Sequence, residues 1–154
     1  MMSSEAMQTS SAPQVRRAEP ADLSGVHELL TANKLPLDGV ASALDCFVVA
    51  EHDERIVGVA GIEHCGAGEY ALLRSVAVDD AWKGRGLGRA LVMRAIGDAE
   101  ARGAKALYLL TTTAESYFPS FGFKPAPRSA VPDAVAQTVE FTSACPASAV
   151  VMVR

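Results

Sequence analysis

The spacing of apolar and polar positions separates strands from helices along this chain. Gln14–Ala18 reads as a short strand. Pro20 suits the first turn of a helix, and Leu23, Val26, Leu29 and Leu30 then recur at helical spacing as far as about Asn33. Lys34–Ala43 reads as a loop with one further helical turn. Three strands follow, at Cys46–Ala50, Arg55–Ile62 and Tyr70–Val78, the first two joined by a hairpin turn at His52-Asp53-Glu54. A polar break, Asp79–Lys83, leads into Gly84, Gly86 and Gly88. From Gly86 to Arg102 the chain has its strongest helical pattern: Leu87, Leu91 and Ala95 form one row beside Val92, Ile96 and Ala99, and Gly103 is placed to end it. Ala106–Leu110 is a buried strand, Ala114–Phe121 a short helix containing Pro119, Val131–Gln137 a helical segment and Ala149–Val153 a closing strand. This order predicts an α/β chain, a mixed sheet flanked by helices.

Composition narrows what such a fold does. The chain has 154 residues, 49% of them apolar and 21% charged, as in an ordinary globular protein. A net charge of -4 argues against nucleic acid as a partner, because a phosphate backbone calls for a basic face. Lys83, Arg85 and Arg89 form a local basic cluster that suits a small anion instead. The three cysteines, Cys46, Cys65 and Cys145, are widely spaced and fall in no zinc-like or Cys-x-x-Cys grouping, which reads as reduced thiols, a cytoplasmic setting and no metal. No apolar run approaches the ~20 residues that cross a bilayer, so no membrane partner is expected. Residues 1–13 are expected to form a disordered tail, and 14–154 one domain without internal repeats.

The alternating glycines carry the chemistry. Glycine permits a sharp turn and lets a ligand approach main-chain N–H groups, and the first N–H groups of the following helix lack partners within it. With the helix dipole they suit a pyrophosphate. A dinucleotide fingerprint fits poorly, since Leu91 holds its third-glycine position. A P-loop also fits poorly, since Gly88-Arg89-Ala90 stands in place of Gly-Lys-Ser/Thr.

Leu72–Val78 followed by Trp82-Lys83-Gly84-Arg85-Gly86-Leu87-Gly88 resembles the signature of the GNAT acetyltransferase superfamily, Arg/Gln-x-x-Gly-x-Gly/Ala after a strand, with Lys83 at the Arg/Gln position. Ala114-x-x-Tyr117-Phe118-x-x-x-Gly122-Phe123 resembles that family's next helix and its Gly-Phe ending. The resemblance implies a mostly antiparallel sheet of about six to seven strands. It also implies acetyl-CoA held by Val76, Ala77 and Val78 and by Lys83, Gly84, Arg85, Gly86, Leu87, Gly88 and Arg89, and direct attack by an amine. Glu140–Ala149 and Leu109–Thr113 resemble a narrower branch, the arsenic-resistance-associated N-acetyltransferases, themselves similar to the acetyltransferase domain of N-acetylglutamate synthases. That branch implies a small amino-acid-like acceptor, a role in arsenic or toxin resistance, and a homodimer through the C-terminal strands.

Direct transfer requires a base for the amine, a donor for the oxyanion and an acid for the thiolate. The resemblance assigns the oxyanion to the Val76 N–H. The family's usual acid is a tyrosine at the position of Phe118; Tyr117 stands one residue earlier, about 100° around a helix, and serves as either acid or packing group. Glu63 is the first candidate base, set against a solvated strand-end glutamate; His64 and Glu69 follow. Arg74, a charge in an apolar strand, either grips a substrate carboxylate or pairs with Glu63 or a helix residue. Thr112 is placed to line the acceptor site, and Cys145 reads as packing rather than as an acetyl-enzyme nucleophile. Two other functions compete: acetylation of a protein or peptide, and an acyl-CoA-binding sensor without turnover, for which Phe118 in the tyrosine position speaks.

Overall fold

A computed structural model describes residues 12–112, 114–138, 140–144 and 148–154. The first 11 residues of the expected tail, Thr113 and Cys145 lie outside the described residues. Strands β1 (Gln14–Arg17), β2 (Phe47–His52), β3 (Arg55–Cys65), β4 (Tyr70–Val78), β5 (Ala106–Thr111), β6 (Lys124–Pro125) and β7 (Val150–Val153) form one sheet. Helices α1 (Leu23–Ala32), α2 (Val40–Ala43), α3 (Leu87–Ala101) and α4 (Asp133–Ala136) flank it. The seven-stranded sheet runs β1-β2-β3-β4-β5-β7-β6, and the β4–β5 pair is parallel while its other pairs are antiparallel. The expected mixed, mostly antiparallel sheet with flanking helices is therefore the fold found.

Period-two alternation divides the strand side chains between the two faces. On one face Leu91, Val92, Ala95, Ile96 and Ala99 of α3 bury against Ala60, Ile62, Leu73 and Leu107. On the other, Val26, Leu30 and Val40 cover Phe47, Val49 and Val59, while Val135 covers Leu72, Tyr108 and Val151. Each fully buried leucine or valine contributes about 1.5–3 kcal/mol, so α3 is held firmly over the middle strands. Its closeness depends on Gly58, where a Cβ would lie 2.6 Å from Leu91 Cδ1. This contact brings the N-terminus of α3 over the end of β4.

The β2–β3 hairpin closes through Asp53 and Glu54, both at positive φ (51° and 65°), as a two-residue type I′ turn requires. The expected helix over Ala114–Phe121 is reduced to a 3₁₀ turn at Phe118–Phe121, because Pro119 brings no N–H to an α-helical ladder. The two-residue strand β6 and a π-helical turn at Glu140–Ala144 carry no periodic signal and are additions to the expected elements. At the start of α1, the Asp22 carboxylate accepts from Arg16 at 2.8 Å and from the Glu19 N–H at 2.7 Å. The Arg16 guanidinium, opposed by partial burial, holds the Asp22 carboxyl below its ordinary value. A lowered native pKa stabilises the fold above the unfolded value, and this contribution is lost as pH falls through the native value. Asp22→Asn is accordingly expected to cost about 1–2 kcal/mol at neutral pH, with the difference shrinking in acid, as measured by urea unfolding at several pH values.

Candidate active site

Strands β4 and β5 pair only over Tyr70–Leu72 and Ala106–Tyr108. From Leu73 onward the β4 edge has no strand partner among the described residues, while β5 continues along β7. The divergence coincides with a bulge: Gly61 pairs with Arg74 and Val59 with Ala77, which leaves Ser75 and Val76 opposite Ala60. Ser75 sits at φ +59°, a left-handed conformation that costs a non-glycine residue about 1–3 kcal/mol. The bulge thus re-aims the Val76 peptide at the point where the strands part.

The glycine turn lies at the open end of this cleft. Gly84 and Gly86 adopt φ +77° and +83°, and a Cβ at either would meet nothing within 4 Å. Among the described residues, no hydrogen bond is donated by the N–H groups of residues 84–89, and the α3 ladder begins with Ala90 N to Gly86 O. Six consecutive residues therefore offer unpaired amides beside the positive end of a 15-residue helix. The flanking cations are held in place: Arg85 lies 4.9 Å from the Trp82 ring centroid, Arg89 lies 5.0 Å from that of Phe121, and Lys83 pairs with Asp80 at 2.8 Å. Residues present here fit a pyrophosphate-bearing ligand, and the unpaired β4 edge fits an amide-containing arm laid along it as an added strand.

A cavity of about 450 Å³ opens between β4 and β5. Ser75, Val76, Leu109 and Tyr117 line it, and Lys34, Leu35 and Pro36 border it from the loop after α1. The 3₁₀ turn sends neighbouring aromatic residues different ways. Phe118 is buried with Phe121 and Phe123, whereas Tyr117 is 40% exposed. A Cβ on Gly88 would stand 3.5 Å from the Tyr117 hydroxyl oxygen and 3.5 Å from Val78 Cγ2, so the phenol faces the first turn of α3. Burial raises the Tyr117 phenol above its ordinary value, with Arg89 opposing, so the hydroxyl keeps its proton at neutral pH. The displaced tyrosine reaches the cleft despite its offset in sequence.

Arg74 and Thr112 line the cavity, and the Arg74 side chain is 0% exposed. Its Nε donates to Ser75 Oγ (3.1 Å), Nη1 to Glu63 (3.2 Å) and Nη2 to the Asp38 carbonyl, with Glu140 Oε2 3.4 Å from Nη2. Of the two readings of Arg74, the ion pair with Glu63 is present. Glu63 itself is 25% exposed and borders the cavity only through Arg74, whereas the Glu140 side chain is 7% exposed and lines it directly. Glu63 and His64 point to opposite faces of β3; His64 lines a separate hollow with Cys46 and Arg102, where burial lowers its pKa. Glu69 precedes β4 at the end remote from the bulge. Glu140 escaped attention in the sequence, although it is the sole acid after Asp133 and stands between two apolar residues.

The sequence pattern of the acetyltransferase (GNAT) domain matches residues 43–125. The amino-acid acetyltransferase of Mycobacterium tuberculosis is 33% identical over 72% of this chain and 68% of its own length. That of Yersinia enterocolitica is 28% identical over 79% of this chain, which spans only 29% of its length. Among solved structures, the Rv2747 protein of M. tuberculosis, crystallised in complex with CoA, superimposes with a TM-score of 0.76 at 25% identity, covering 92% of this chain and 98% of that one. N-acetylglutamate synthase from Neisseria gonorrhoeae, complexed with coenzyme A and N-acetyl-glutamate, gives a TM-score of 0.78 at 20% identity over 92% of this chain and 34% of its own, a likeness of fold.

Proposed function

Because this chain belongs to the GNAT acetyltransferase family, we propose that it transfers the acetyl group of acetyl-CoA to the amine of a small amino-acid-like acceptor, by direct attack in a ternary complex. The observation that carries the reading is the run of unpaired amides at residues 84–89 beside a cleft that a tyrosine hydroxyl enters. Acetyl-CoA supplies an activated thioester. Gly84, Arg85, Gly86, Leu87, Gly88 and Arg89 hold its pyrophosphate through main-chain N–H groups, with Lys83 adding charge at the rim. Val76, Ala77 and Val78 bond its arm along the open edge of β4. The Val76 N–H, re-aimed by the bulge, stabilises the developing oxyanion, and Tyr117 returns a proton to the sulfur. Glu63 takes the proton of the acceptor amine through water; its partial exposure supports that route. Arg74 and Thr112 form the acceptor end of the cavity.

The small-acceptor reading draws on the Lys34–Pro36 border of the cavity and on relatives named amino-acid acetyltransferases. A cytoplasmic location, a homodimer and a role in arsenic or toxin resistance belong to the same proposal. No helix among the described residues is long and apolar enough to cross a membrane, and no group of three or more His, Cys, Asp or Glu there is placed to hold a metal ion. The test is release of free thiol from acetyl-CoA in the presence of the L-amino acids and their toxic analogues. Acceptor-dependent release is expected. Tight CoA binding with no turnover on any amine identifies an acyl-CoA sensor instead, and turnover confined to peptides identifies a protein acetyltransferase.

A further inference from the structure

We propose that Arg74 is a positioning residue whose buried guanidinium ties the loop over the cavity to the bulge that presents the Val76 amide. The inference deepens the assignment of Arg74 to the acceptor end and rests, for its catalytic consequence, on the reading of Val76 as oxyanion donor. Four separate segments converge on this one side chain. Nε reaches Ser75 in the bulge, Nη1 reaches Glu63 on β3, and Nη2 reaches the Asp38 carbonyl in the loop and Glu140 in the π-helical turn. A guanidinium is suited to this work because its donors are fixed in a planar fork. Ser75 needs such support, since a non-glycine residue at φ +59° persists only where its surroundings over-determine it.

The same contacts argue against direct grip of an acceptor carboxylate. Three of the five guanidinium N–H donors bond groups of the chain itself, Glu140 Oε2 lies 3.4 Å from Nη2, and two carboxylates share the single positive charge. An incoming carboxylate would have to compete with Glu140 and Glu63 for that one charge and would bring a third anion to the same enclosed place, which is costly. An acceptor ammonium meets a favourable field at the same place. Arg74 thus acts on the acceptor through what it holds in position.

Amide hydrogen exchange on the unliganded full chain tests this without knowledge of the acceptor. Lys34, Leu35 and Val40 have hydrogen-bonded amides that report on the loop, donating to Thr31, Leu30 and Leu37. In Arg74→Met their exchange is expected to rise at least about tenfold, together with that of residues 75–78, while the middle of α3 is unchanged. Arg74→Lys should recover part of the protection. With an acceptor from the thiol-release panel, kcat should fall about 30-fold with the acceptor KM little changed, since the affected amide works in the transition state. Should Arg74→Met fail to fold, Glu140→Gln is read in its place and must loosen the same two segments. Unchanged protection of loop and bulge, or a rise in acceptor KM alone, overturns the proposal and restores the direct grip. A protein with no turnover would still show the exchange pattern, so failure of the functional reading is distinguishable.

Discussion

Replacing Tyr117 with Phe is expected to lower kcat for acetyl transfer about 100-fold, or ~2.7 kcal/mol in the barrier, with the KM for acetyl-CoA altered less than about threefold. The reason lies in the turn around Pro119. A regular helix over Ala114–Phe121 would place Phe118 and Tyr117 on faces about 100° apart and turn the phenol from the cleft. The chain instead makes a 3₁₀ turn at Phe118–Phe121, which buries Phe118 and leaves the Tyr117 ring edge-on to both Phe118 (5.2 Å) and Phe121 (5.3 Å) with its hydroxyl toward Gly88. Burial favours the neutral phenol, so the acid form persists through neutral pH, and Arg89 opposes the shift without reversing it. The alkaline limb of the kcat profile should therefore lie above the ordinary tyrosine range and be absent in Tyr117→Phe. Steady-state thiol release across pH checks both points; full activity in the variant would remove the phenol from the mechanism and leave water as the acid.

Gly88→Ala is expected to weaken acetyl-CoA binding about 30-fold, or ~2 kcal/mol, while leaving thermal stability unchanged or raised by about 0.5 kcal/mol. The two effects separate because the glycine is not required by its backbone angle. A methyl group there makes only ordinary contacts at 3.5 Å in the free protein, and alanine favours helix over glycine. The same methyl would occupy the strip between the Tyr117 hydroxyl and Val78, along which the ligand's arm runs in this account. Gly84 and Gly86 are less clean probes, since positive φ makes any substitution there a backbone strain as well. Calorimetric binding and a melting curve on the one variant distinguish loss of ligand space from loss of fold.

What could be read from the sequence follows the range of the interactions involved. Strand β4 was legible to both ends and α3 to within a residue, because each is marked by its own periodicity and by adjacent polar or glycine punctuation. The glycine turn was legible for the same reason: its amides, its φ angles and its helix lie within a few residues of one another. The bulge was not, since Ser75 adopts a glycine-like angle without the glycine that would announce it. Nor was the full environment of Arg74. Glu63 on the neighbouring strand was anticipated, but the Asp38 carbonyl lies 36 residues away and Glu140 comes from a turn with no regular pattern. The offset of Tyr117 was visible, whereas its direction depended on a proline-shortened turn that only tertiary packing defines.

Whether residues 84–89 cradle the pyrophosphate of acetyl-CoA is decided by comparing two ligands on the unmodified protein. Isothermal titration with acetyl-CoA and with S-acetylpantetheine, which keeps the thioester and the amide arm but lacks the pyrophosphate and the adenosine 3′-phosphate beyond it, removes the group that the unpaired amides and the helix terminus would hold. Acetyl-CoA is predicted to bind at least about 100-fold more tightly. Equal affinities for the two ligands would contradict the account.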